Sequence, residues 1–161
     1  MKKPLLRSSN VYNQFFTSPC GVLEVVADDR GVTAVRFVEH QPDRSCESPI
    51  TQRTCTQLQE YFSGARHSFD VPLAAKGTDF QERVWQQLTR IQYGHTASYA
   101  DIANCIDNPT AVRAVGMANG RNPIAIIVPC HRVIGSNGTL TGYAGGLARK
   151  QFLLELEGAI S

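Results

Sequence analysis

The sequence predicts an α/β protein built from two small lobes. Residues 1–76 read as an amino-terminal α/β lobe of antiparallel strands plus a helix, and residues 77–161 as a mostly helical lobe containing a helix-turn-helix. Three observations carry that reading. Short Val- and Phe-rich runs separated by turn signals lie near the start, helical periodicity sets in after residue 77, and two short helical segments farther on are joined by Asp-Asn-Pro. The 161 residues suffice for one ordinary domain or for two lobes sharing an interface, and 42% apolar with 19% charged residues is the composition of a chain that folds throughout.

Taken in order, VYNQFF, GVLEVVA and GVTAVRFV lie between residues 11 and 38 and are separated by TSPC and DDRG, as in neighbouring strands of a meander. From Pro49 to Phe62 the pattern turns helical, with Leu58, Tyr61 and Phe62 on one face and Gly64 as the stop. In GTDFQERVWQQLTRIQYG, Thr78 and Gln81 stand at capping-box spacing, and Phe80, Val84, Leu88 and Ile91 recur at helical intervals. Trp85 beside that stripe reads as core. SYADIANCI has a similar cap-like pair in Ser98 and Asp101, and after a turn of about three residues TAVRAVGMANG forms a second helix ended by Asn119 and Gly120. Ala111, Ala114, Gly116 and Ala118 let this helix approach another surface closely, which by itself points more to tight helix packing than to DNA. GSNGTLTGYAGG holds five glycines in twelve residues, so its backbone N–H groups can come close to a ligand, although the G-x-x-x-x-G-K-[ST] phosphate loop is missing. LARKQFLLELEG reads as the last helix, with Gly158 as its stop.

Several function classes drop out. The first ten residues hold only a Leu-Leu pair where a secretory signal needs a longer apolar stretch, and no segment approaches membrane-spanning length, so the sequence reads as cytoplasmic, with no membrane partner. The five cysteines, Cys20, Cys46, Cys55, Cys105 and Cys130, are odd in number and show no C-x-x-C pair, which fits a reducing compartment. His40, His67, His95 and His131 are scattered without zinc-type spacing, and no metal is expected. Net charge is only +2, yet no acidic residue lies between Asp107 and Glu155, while Arg113, Arg121, Arg132, Arg149 and Lys150 all do. Such a stretch either attracts a polyanion or is merely a loop-rich region that happens to lack acids.

The most informative stretch is IIVPCHRVIG, residues 126–135. A thiol attacks as thiolate, so a reactive Cys130 needs a lowered pKa or a base to take its proton. His131 and Arg132 are the candidates. Neighbours in an extended segment point to opposite sides, however, which favours a relayed contact between sulfur and imidazole. Pro129 holds Val128 extended and removes one backbone donor, fixing the sulfur's direction at a strand's end. Taken alone, the pair reads first as a buried cysteine acting as filler.

Over Asp79 to Gly158 the sequence resembles the O6-alkylguanine-DNA alkyltransferase family of direct-reversal repair proteins. FQERVWQQL, SYADIA, AVRAVGMANGRNPIAIIVPCHRVIG and GYAGGLARKQFLLELEG carry the likeness in the expected order. The amino-terminal lobe fits more loosely. The resemblance implies a ribonuclease H-like first lobe and irreversible, stoichiometric transfer of the alkyl group from O6-alkylguanine, and also from O4-alkylthymine, to Cys130. It implies His131 acting through water as the base and Glu157 orienting the imidazole; the residues alone do not choose between Glu155 and Glu157. It implies further that Tyr99 donates to guanine N3 and that Asn122 braces the backbone beside the cysteine. Arg113 would fill the space left by a flipped nucleotide, and Ala111, Ala114 and Gly116 would lie against the minor groove. Val133, Tyr143, Ala144 and Gly145, with Tyr99, would line the pocket. No cofactor is implied, and the expected partner is double-stranded DNA with alkylated bases, bound by a monomer. Some relatives have a proline where this chain has Ala125, which bears on bulky alkyl groups, and the zinc ligands of certain members have no counterpart. Two rival readings are a non-catalytic binder of alkylated DNA, against which the presence of Cys130 argues, and a cysteine hydrolase, which leaves the helix-turn-helix unexplained.

Overall fold

The computed structural model describes residues 10–41 and 44–161. Strands β1 (Tyr12–Ser18), β2 (Gly21–Ala27) and β3 (Val32–Val38) form an antiparallel meander in the order β1-β2-β3. The first strand runs farther than its sequence suggests. Ser18 pairs with Gly21, so Thr17 and Ser18 belong to the strand and Pro19-Cys20 alone makes the turn, with Gly21 at φ 136°. Along β2 the residues Leu23, Val25 and Ala27 are buried and alternate with half-buried Val22, Glu24 and Val26, the period-2 signature of a sheet with one covered face.

The cover is α1 (Pro49–Phe62). Ser48 and Thr51 close a capping box at its start, and Gly64 at φ 86° follows its end. Its fully buried Leu58 and Tyr61 join Leu23, Val25 and Val35 in one core, where each such aliphatic side chain contributes about 1.5–3 kcal/mol.

The second lobe starts with α2 (Asp79–Leu88), capped by Thr78 and Gln81 as the spacing predicts. Ile91 shares the apolar stripe but lies beyond the helix. Trp85 is core: its indole Nε1 donates to Ala118 O at 2.9 Å and ties α2 to the helix beneath. A short strand β4 (Ala97–Ser98) leads into α3 (Tyr99–Cys105), and α4 (Val112–Gly120) follows. The connection spans Ile106 to Ala111, longer than the predicted turn, because Asp107 adopts φ 62° and Asn108 N bonds back to Ala103 O. β5 (Val133–Ile134) pairs in parallel with β4, and α5 (Leu147–Leu156) ends at Gly158, φ 74°. Among the described residues no helix is long and apolar enough to cross a membrane.

The lobes are joined next to Cys130. Val35 N donates to Pro123 O at 3.0 Å and Ala125 N to Val35 O at 2.9 Å, so β3 pairs in parallel with the segment leading to the cysteine.

Candidate active site

Cys130 is not at the end of a strand as Pro129 suggested. Residues 124–129 turn tightly, with Val128 N bonded to Ile124 O, and Cys130–Arg132 form one turn of 3-10 helix. Ile126 sits within that turn at φ 72°, a left-handed conformation that a β-branched side chain rarely adopts. Asn122 holds the turn together. Its Nδ2 donates to Val128 O at 2.8 Å and Ile124 O at 3.3 Å, and its Oδ1 accepts from Ile124 N at 3.0 Å. Asn119 Nδ2 donates to the Cys130 carbonyl at 3.4 Å.

On one side of the cysteine is a buried group of charges. His131 is fully buried, and its Nε2 donates to Glu157 Oε2 at 2.8 Å. Arg132 grips the same carboxylate from Nε to Oε1 at 2.8 Å and from Nη2 to Oε2 at 3.0 Å, and its Nη1 donates to Ile91 O at 2.6 Å. Burial opposes ionisation of Glu157, but hydrogen bonds and charge from His131 and Arg132 outweigh it and bring the carboxyl down to about 2. Burial, helped by the Arg132 and Lys150 charges, holds His131 below its ordinary value against the pull of Glu157, so the ring is a neutral base near pH 7. With Nε2 bonded to the carboxylate, Nδ1 is free to accept a proton, and it has no partner among the described residues. Of the two acids left open by the sequence, Glu157 is the buried one, whereas Glu155 is exposed and accepts from Gln151.

On the other side is a cavity of about 380 Å³ whose wall includes Cys130, Asn122, Ala125, Tyr143, Ala144 and Gly145. That volume is in the range of small-ligand sites. Two residues expected at the pocket stand apart from this wall. Val133 is fully buried and absent from the wall, because β5 pairs with β4 and turns its side chain into the core. Tyr99, absent as well, has its hydroxyl 3.0 Å from Thr141 Oγ1, just ahead of the wall residue Gly142. The sequence reading also missed the wall supplied by the first lobe: Phe37 faces Gly145, where an added Cβ would lie 2.9 Å from the Phe37 ring and 2.9 Å from that of Tyr143. Arg149 lies over Phe37, with its guanidinium carbon 4.4 Å from the ring centre, and donates to Cys20 O at 2.7 Å.

The thiol itself is held above its ordinary value by burial, which the Asn122 side chain and the Lys150 charge only partly offset. Of the two routes to a thiolate, the structure therefore favours removal of the proton by a base over a resting anion. Lys150 is an unanticipated part of the frame. Fully buried, its Nζ donates to Val133 O and Thr141 O, both at 2.6 Å, and to Gly142 O at 3.3 Å, and burial lowers it to about 8. The acid-free stretch thus divides: Arg132 and Lys150 turn inward, and Arg113 and Arg121 stay exposed. The small residues of α4 divide likewise. Ala118 is buried against Trp85, whereas Ala111 and Gly116 are half-buried and Ala114 is exposed beside Arg113.

Comparison with known proteins places this geometry in context. The family model for the DNA-binding domain of 6-O-methylguanine DNA methyltransferase matches residues 79–159, and that for its ribonuclease-like domain matches residues 11–75. A "Methylated-DNA--protein-cysteine methyltransferase" of Methanosarcina acetivorans is 51% identical over 92% of this chain and 99% of its own length. A constitutive protein of that name from Bacillus subtilis is 57% identical over 76% of this chain and 72% of its own. The crystal structure of Mycobacterium tuberculosis O6-methylguanine methyltransferase superposes with a TM-score of 0.85 at 46% identity, covering 93% of this chain and 94% of that one. The same bacterium's protein in complex with DNA gives 0.84 at 48% identity, covering 91% and 92%.

Proposed function

The chain belongs to the 6-O-methylguanine DNA methyltransferase family, a DNA-repair family whose members move an alkyl group from DNA to their own cysteine, and from that premise we propose that Cys130 is the acceptor. One observation carries the assignment: Cys130 is part of the cavity wall and directly precedes His131, whose ring is paired with Glu157. The sulfur attacks the carbon attached to O6. A sulfur–carbon bond forms, the carbon–oxygen bond breaks, and its electron pair stays with guanine, which takes up a proton as it leaves. The thiol proton passes through a water toward His131 Nδ1, which has no hydrogen-bond partner among the described residues, and Glu157 steadies the imidazolium formed. A thioether does not hydrolyse under ordinary conditions, so each molecule reacts once.

The remaining roles accord with that assignment. Asn122 keeps the turn before Cys130 rigid, and Tyr99, beside Thr141, donates to guanine N3 as negative charge develops there. Tyr143, Ala144 and Gly145 hold the base, with a backbone N–H near O6. Exposed Arg113 on α4 fills the stack after the nucleotide leaves it, while Ala111, Ala114 and Gly116 give the helix a low profile suited to the minor groove of alkylated duplex DNA. O4-alkylthymine is a second substrate. The division into lobes falls between residues 76 and 77, where the sheet-plus-helix unit gives way to helices. The protein acts as a monomer in the cytoplasm and needs no cofactor for this displacement.

Incubation with methylated duplex DNA and subsequent peptide mass mapping test the assignment. A methyl group on the Cys130 peptide at one equivalent is expected; an unmodified peptide with full recovery of the lesion overturns it.

A further inference from the structure

One buried ionisable group at the site has no part in the transfer proposed above. Tyr61 belongs to the first lobe, on α1, yet its hydroxyl donates to Glu157 Oε2 at 2.5 Å across 96 residues of sequence. The ring is fully buried and fixed on three sides, edge-on to Phe62 and Tyr93 at 5.1 and 6.2 Å and tilted against Phe69 at 5.6 Å. The oxygen it contacts is the one that accepts from His131 Nε2.

We infer that Tyr61 is a positioning residue of the alkyl-transfer reaction, holding Glu157 Oε2 so that the carboxylate orients His131 and so that its pull on the imidazole proton is moderated. This rests on the assignment of Cys130, His131 and Glu157 above. Oε2 is shared among three donors, Tyr61 OH, His131 Nε2 and Arg132 Nη2, and each added donor lessens the charge it offers to the others. Burial and the neighbouring carboxylate keep the phenol protonated, so Tyr61 donates and never competes as a base. The charged and titratable groups facing the pair are Arg132, Lys150, Tyr93 and Tyr143. Arg132 is already engaged with both carboxylate oxygens and with Ile91 O, so loss of the Tyr61 hydroxyl leaves Oε2 with two donors, His131 Nε2 and Arg132 Nη2, in place of three.

The test uses the full chain and a duplex bearing a single O6-methylguanine, with single-turnover transfer measured from pH 5 to 9. In Tyr61→Phe the ring packing remains and only the hydroxyl is lost. His131 then binds its proton more tightly, so the acidic limb of the profile moves up by about one pH unit and transfer on that limb slows by about tenfold, while the plateau at higher pH is kept. Affinity for unmodified DNA stays the same. Cys55→Ala, buried on the same helix but not among the rings that fix Tyr61, is the packing control: it lowers the unfolding temperature and leaves the profile in place. A wild-type profile in Tyr61→Phe, or a loss of rate equal at every pH, overturns the inference while wild-type methylation of Cys130 keeps the underlying assignment intact. Failure of the wild-type chain to methylate Cys130 overturns both.

Discussion

The two sides of Cys130 are built on opposite plans. Toward Glu157, ionisable groups sit in a dry interior and are almost fully matched: the carboxylate accepts from His131, Arg132 and Tyr61, and its partners are themselves held by packing. Toward the cavity the matching stops. The buried side-chain atoms without a hydrogen-bond partner among the described residues are Asn119 Oδ1, Tyr143 Oη and His131 Nδ1. Asn119 and Tyr143 line the cavity with the cysteine, and His131 is the cysteine's neighbour in sequence. Folding normally satisfies such atoms, because each one left bare in the interior costs about 1–3 kcal/mol. The charged side is therefore organised in advance, and the cavity side keeps polar atoms to offer to something that enters.

Four experiments press on that contrast. The largest effect is expected where the two sides meet. Cys130→Ser replaces the nucleophile with a hydroxyl that the same base cannot ionise usefully, so methyl transfer to the protein disappears, while affinity for duplex DNA by titration stays near wild type. Next comes Glu157→Gln, which leaves Arg132 in the interior without its anion. Breaking a buried pair in this way costs about 3–5 kcal/mol, seen in denaturant unfolding, and transfer per folded molecule slows by about tenfold or more.

The third is acidification, which attacks the matched side alone. His131 has its folded pKa held below the ordinary 6.5, so below that pH the unfolded chain takes up a proton that the folded chain refuses, and stability falls. Glu157 adds to this. Its folded pKa is about 2 against an ordinary 4.5, so its contribution is complete above 4.5 and is lost as the pH drops from there toward 2. Unfolding temperatures should decline below about pH 6.5 and more steeply below about pH 4.5 in the wild type, and the steeper part should vanish in Glu157→Gln. The smallest effect on stability belongs to the unmatched side. Tyr143→Phe removes a hydroxyl that has no partner, so unfolding should be unchanged or raised by up to about 1 kcal/mol, whereas the transfer rate falls if an entering base uses that hydroxyl.

What was legible in the sequence is what local chemistry fixes. The capping pairs Thr78/Gln81 and Ser98/Asp101, the stop at Gly158 and the limits of α1 depend on groups a few residues apart, and the structure reproduces them. Contacts between distant segments left no such trace. Nothing near Tyr61 announces Glu157, and nothing near Phe37 announces a cavity wall. The 3-10 turn at Cys130 was missed because Pro129 restricts Val128 without dictating the backbone of Cys130 and His131, and the turn depends on Asn122 and on pairing with β3. One signal was available and unused. Lys150, Leu153, Leu154 and Glu157 recur at the i, i+3, i+4, i+7 spacing of a buried stripe, and all four are buried. Two charged residues on an apolar stripe are either errors of assignment or parts of a site, and that stripe also separates Glu157 from Glu155.

Phe37 gives the cavity a boundary that the neighbouring loop does not control. The ring is carried by a strand stitched through Val35 to the backbone before Cys130, and it is clamped by Arg149 from above. The width of the cavity is thus set where one lobe docks on the other. An engineer seeking a wider chamber should begin at that phenyl ring, since trimming it opens the wall without altering the glycine-rich segment that faces it.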